Sequence, residues 1–153
     1  LQFSDSYMRS DIYAVSTKTH PTIKTWPDID KAGNVVAVQT GTFMQPAMQA
    51  YLKAASLSLI GPPNTREQEL QSGRVDVFMT DFPYSRKILQ NAEWAKVIAP
   101  EQPVFPLEYA YACALGDASL IKRVNLFIAQ IKRDGRLLQA ARPFQLDSAI
   151  LKE

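Results

Sequence analysis

Residues 34–41, NVVAVQTG, read as a continuous apolar run ending at Gly41, and no other stretch constrains the fold of this 153-residue chain as strongly. A strand with one wet face alternates apolar and polar residues. An uninterrupted run suits a strand covered on both faces, as in a parallel sheet flanked by helices. A helical segment follows, FMQPAMQAYLKAA, with Met44, Met48, Tyr51, Leu52 and Ala55 on one face and Pro46 tolerable only in a first turn.

The same alternation continues along the chain. DIYAVSTK and SLSLI have strand character, and HPTIKTWPDIDKAG reads as a connection with one short helical turn at most. NTREQELQSG has a helix-capping pattern, Asn64 or Thr65 followed by Glu67 or Gln68, and Gly73 stands where a helix end wants a left-handed residue. RVDVFMT is the next strand, PYSRKILQNA a helix with an early proline, WAKVIAP a strand, and EYAYACALG a long strand. The clearest helix covers 118–133. Its stripe is Leu120, Val124, Phe127, Ile128 and Ile131, with Asp117 as N-cap and Gly135 as terminator. Strands alternating with helices predict an α/β unit with a mainly parallel sheet.

Composition excludes several classes. With 46% apolar and 21% charged residues the chain is globular rather than disordered. A net charge of +2 without a basic stripe argues against a nucleic-acid partner. The apolar runs are too short to cross a bilayer. One cysteine, Cys113, rules out an internal disulfide and a multi-cysteine zinc site, and no metal or cofactor is expected.

Ligands of such sheets bind beyond the carboxyl ends of the strands. Two ends carry polar chemistry. At VAVQTGTF, Gly41 permits a close backbone approach, and free amides of Thr42 and Phe43 at the start of the next helix would suit a carboxylate. At FMTDFP, Asp81 offers a negative charge. Together they would match a zwitterion, carboxylate to the Gly-Thr turn and ammonium to Asp81. The structural alternatives are that Asp81 is only a helix N-cap, that Asp76 is structural, that His20 is solvated, and that Cys113 is core. No nucleophile–base pair is evident, so no catalytic residue is assigned.

The order FSDSYM, VVAVQTGTF, LQSGRVDVFMTDFP and ALGDASLIKRVNLFIAQIKRDGRL resembles the amino-acid-binding (family 3) periplasmic solute-binding proteins along nearly the whole chain. FSDSYM is similar to that family's F-S-x-P-Y strand, with Ser6 where proline is usual. GRVDVFMTDFP is similar to its G-R-x-D-A-x-x-x-D segment. The resemblance implies a type 2 periplasmic-binding fold, two α/β lobes clamping an amino acid. Asp81 would take the α-ammonium, Thr42 with nearby amides part of the α-carboxylate, and Gln39 and Phe43 would face the ligand. Phe43 stands where the family often has a second hydroxyl.

The resemblance further implies that residues 1–11 end lobe 1 and cross over, 12–107 form a complete lobe 2, and 108–153 return to a partial lobe 1. The family's N-terminal third, with a carboxylate-gripping arginine, would lie before Leu1. The helix 118–133 would then bare its stripe, so a homodimer or a lobe-completing chain is expected. The implied role is extracytoplasmic amino-acid binding, as a transporter's receptor or as the sensor domain of a membrane signalling protein. An enzyme similar to cyclohexadienyl dehydratase and the effector domain of a transcription regulator are the alternatives.

Overall fold

A computed structural model describes residues 1–152. The chain forms two compact units, one of Asp11–Phe105 and one of Leu1–Ser10 with the chain from Pro106 onward. Two short strands, β1 (Gln2–Phe3) and β2 (Met8–Ser10), precede the larger unit in sequence. That unit contains β3 (Ile12–Thr17), β4 (Val35–Gln39), α1 (Met44–Tyr51), β5 (Ser56–Ile60), α2 (Arg66–Gln71), β6 (Val77–Asp81), α3 (Phe82–Asn91) and β7 (Ala95–Ile98).

Its five-stranded sheet has the order β5-β4-β6-β3-β7. β4 is parallel to both β5 and β6, while β3 runs antiparallel to β6 and β7. The mainly parallel expectation therefore needs a correction: β3 is an inserted antiparallel strand. It enters without a preceding crossover helix, which a parallel pairing would require. Helices cover both faces. Met44 and Met48 of α1 pack with Val36, Val38, Val77 and Met79 on one side. Leu70 of α2 and Ile88 of α3 pack with Ala37 and Phe78 on the other. Burial on both faces is why β4 and β6 read as unbroken apolar runs.

The prolonged connection between β3 and β4 is more than a linker. It contains a 3₁₀ turn at Trp26–Asp28 and buries Ile23, Trp26 and Ile29 in the α1-side core. Each such side chain stabilises by about 1.5–3 kcal/mol. His20 is not solvated as expected: its side chain is 13% exposed, and Nε2 lies 3.0 Å from Asp76 Oδ1. Its Nδ1 accepts from the Ile23 amide at 3.1 Å, which leaves Nε2–H to donate to Asp76.

Asp76 ties three segments together. Its Oδ2 accepts from the Val35 amide at 2.7 Å, its own amide donates to the Val35 carbonyl, and its carbonyl accepts from Ser16 Oγ. Gly73, at φ +75°, supplies the left-handed turn after α2, and Arg74 then clasps Glu69 with two bonds of 2.7 and 2.8 Å. Where the chain enters and leaves this unit, Asp11 accepts from the amides of Ile12, Val104 and Phe105, each at 2.7 Å.

In the smaller unit, β8 (Leu107–Tyr109) pairs with β2 and β9 (Ala112–Cys113) with β1, both antiparallel. The single long strand expected over 108–116 is therefore broken, and the stacked rings of Tyr7 and Tyr111 mark the break. α4 (Ala118–Arg133) is capped by Asp117, whose Oδ1 accepts from the Leu120 amide, and Gly135 at φ +83° separates it from α5 (Arg136–Ala141). The bare stripe expected on α4 is only partly bare. Ile128 and Ile131 are buried, Leu120 and Val124 half-buried, and Phe127 exposed along with Leu126.

Asp76→Ala removes two acceptor bonds to a carboxylate, and the variant should lose about 2–3 kcal/mol of stability. Asp76→Asn, which keeps one acceptor oxygen, should lose less. Urea denaturation reads both, and an unchanged midpoint for the alanine variant would dismiss Asp76 as a structural hub.

Candidate functional site

The strand order places β4 first in its parallel set, with β5 on one side and β6 on the other. The connection through α1 covers one face and the connection through α2 the opposite face. The carboxyl ends of β4 and β6 therefore diverge into a crevice at a topological switch point, where open α/β sheets bind ligands. A cavity of about 220 Å³ occupies that place, lined by Gln39, Thr42 and Met44 from the β4 end and Thr80, Asp81 and Tyr84 from the β6 end, with Arg66 between.

Asp81 closes β6 and caps α3, its Oδ1 accepting from the Tyr84 amide at 2.9 Å. The capping alternative and a cavity position are therefore both realised in one residue. Pro83 in the first turn of α3 fixes where the helix begins. The capping bond orients the carboxylate at the end of the strand.

Gly41 has φ +79°, and a Cβ there would meet nothing within 4 Å, so the left-handed backbone is what calls for glycine. The turn it makes differs from expectation in one respect. The Thr42 amide is not free; it donates to the Gln39 carbonyl at 3.3 Å, and the Thr42 hydroxyl donates to the same oxygen at 2.8 Å. The Gly41 amide has a long contact of 3.5 Å to Gln45 Oε1. Phe43 is the N-cap of α1; the Gln45 amide donates to the Thr42 carbonyl at 3.2 Å and Pro46 has no N–H, which leaves the amides of Phe43 and Met44 at this helix start. Phe43 is 37% exposed and is not among the residues lining the cavity; Gln39 and Thr42 are.

Arg66 and Tyr84 of this wall, and Glu67 next to them, escape a reading of the sequence alone. Arg66 opens α2, and its Nη1 donates to the Met79 carbonyl at 2.6 Å. Its guanidinium lies 5.1 Å from the Phe78 ring centre and 5.4 Å from that of Tyr84. Tyr84 in turn donates its hydroxyl to Glu67 Oε1 at 2.6 Å. The thr-Arg-Glu-Gln stretch reads as a capped helix start, and Thr65 indeed caps it with Gln68. Nothing in its spacing announces that Arg66 turns back over β6.

Burial, reinforced by the Glu67 carboxylate, pushes the Tyr84 phenol up to about 12. Among the described residues no cluster of metal-ligating side chains occurs. A larger cavity, about 710 Å³, lies in the smaller unit beside Ile128, Lys132 and Arg133; it adjoins a helix flank rather than a parallel strand end.

No family model matches the chain. It is 27% identical over 136 residues to the L-cystine-binding protein TcyJ of Escherichia coli (strain K12), covering 88% of this chain and 50% of that one. It superposes with a TM-score of 0.76 and 27% identity on an ancestral amino acid-binding protein, a precursor of cyclohexadienyl dehydratase, covering 94% of this chain and 60% of the other. A solute receptor for L-cysteine of Neisseria gonorrhoeae gives a TM-score of 0.75 at 24% identity, over 94% and 56%. The fold is that of type 2 periplasmic binding proteins, and the relatives are amino-acid-binding proteins of that kind. The chain spans about half the length of the relative it matches in sequence.

A phenol held protonated by burial and a carboxylate stabilises the fold fully below the ordinary tyrosine value of 10, and loses that contribution as pH climbs through about 12. Tyr84→Phe should therefore be less stable than the wild type at neutral pH, and the gap between their urea midpoints should close between pH 10 and 12. The variant should also lose one late phenolate step from the ultraviolet titration. A gap independent of pH would exclude the Tyr84–Glu67 bond as its source.

Proposed function

We propose that the larger unit binds a free amino acid at the β4–β6 crevice, as part of an extracytoplasmic solute receptor that serves a membrane transporter. The observation that supports this reading is that Asp81, Gln39 and Thr42 line one cavity at the switch point. Asp81 takes the α-ammonium, adding a charge-assisted bond to a carboxylate already oriented by its capping bond. The α-carboxylate meets the start of α1, where the amides of Phe43 and Met44 and the helix dipole favour an anion. Gly41 lets it approach, and Thr42 can redirect its hydroxyl from the Gln39 carbonyl to the ligand.

The relatives support the ligand class, since their names specify L-cystine and L-cysteine. The bonding of the polar groups favours binding over turnover. Thr42 donates to Gln39 and Asp81 caps α3, so the two are not set against each other as nucleophile and base.

Asp81→Asn should weaken amino-acid binding by about 2–5 kcal/mol, because the ammonium would lose its counter-charge in a partly desolvated crevice. Thr42→Val should cost only about 1 kcal/mol, since the backbone amides remain. Titration calorimetry with a panel of L-amino acids measures both. Equal affinity of the Asp81→Asn variant and the wild type would remove Asp81 from the site.

A further inference from the structure

We infer that Arg66 is a specificity-determining residue that takes a second carboxylate, so that the crevice selects amino acids with an anionic side chain and rejects cationic ones. The inference rests on the binding reading above and adds the side-chain class to it.

Arg66 is the only cationic residue among those lining the crevice, and it is half-buried. Among the described residues no carboxylate lies within ion-pair distance of it. The nearest acid in sequence, Glu67, receives the Tyr84 hydroxyl instead. A guanidinium has five N–H donors, and the one bond it makes, to the Met79 carbonyl, uses a single nitrogen. That bond and the faces of Phe78 and Tyr84 hold the group in place without neutralising it.

Such a group is oriented before any ligand arrives. Little side-chain freedom is lost on binding, and the planar fork suits a carboxylate. With Asp81 matched to the ammonium and the α1 start to the α-carboxylate, Arg66 is the charge still unmatched on the wall. A second carboxylate complements it. A lysine or arginine side chain would instead meet a like charge, which is discrimination by repulsion as well as by attraction.

The test is calorimetry on the purified protein with L-glutamate, L-aspartate, L-glutamine and L-arginine, for wild type, Arg66→Gln and Arg66→Lys. In the wild type an acidic amino acid should bind at least about tenfold more tightly than L-glutamine, and L-arginine should be the weakest. Arg66→Gln should erase the acidic preference and improve L-arginine, while L-glutamine stays within about twofold; Arg66→Lys should fall between, keeping the charge without the fork. An unchanged L-glutamine affinity also shows that the variant is folded. If Arg66→Gln weakens glutamate and glutamine equally, or if the wild type binds amino acids with no acidic preference, the inference is overturned and the binding function stands. If the wild type binds none of the four and no other L-amino acid, the binding function fails and this inference with it.

Discussion

The parallel pairing of β4 with β6 is the constraint on which the rest of the larger unit depends. Register Val36↔Val77 and Ala37↔Phe78 puts the two carboxyl ends side by side, so Gln39 and Asp81 emerge at one edge of the sheet. At the other edge Asp76 fixes that register. Its carboxylate accepts from the Val35 amide, while its backbone exchanges a second bond with the Val35 carbonyl. A slip of one residue would turn Val36, Val38, Val77 and Met79 to the wrong face and separate the two halves of the crevice.

This division of labour explains the segment GRVDVFMTD. Gly73 turns the chain, Arg74 binds back to Glu69 of α2, and Asp76 anchors the strand head. Five residues on, Asp81 ends the strand and caps the next helix. Two acids in one strand thus do different work because the strand has two ends: one meets backbone donors of neighbouring strands, the other meets a cavity. The alternation Val77, Phe78, Met79 between them supplies both cores at once.

The electrostatics of the crevice follow from the same frame. Arg66, Glu67 and Tyr84 come from two helices that both cover the Phe78 face of the sheet. Tyr84 joins them, accepting the guanidinium over its ring and donating its hydroxyl to Glu67. Glu67 bonds the phenol, and Arg66 lines the cavity.

The sequence by itself determined the elements and their ends. Unbroken apolar runs marked β4 and β6, the helical stripes marked α1 and α4, and Thr65, Asp117, Gly73 and Gly135 marked caps and turns, because capping and left-handed φ are demands of the local backbone. It also singled out Gly41, Thr42 and Asp81, because polar residues that end buried strands have few reasons to be there. Only the tertiary structure decided what those groups bond to. The Thr42 hydroxyl turns to the Gln39 carbonyl, His20 is drawn in beside Asp76, β3 inserts antiparallel, and Arg66 folds back over β6 into the crevice. These are contacts between residues as far apart as His20 and Asp76, or on helices with no fixed spacing. Periodicity reports which face a residue lies on, and the partner on that face is set by how the elements pack.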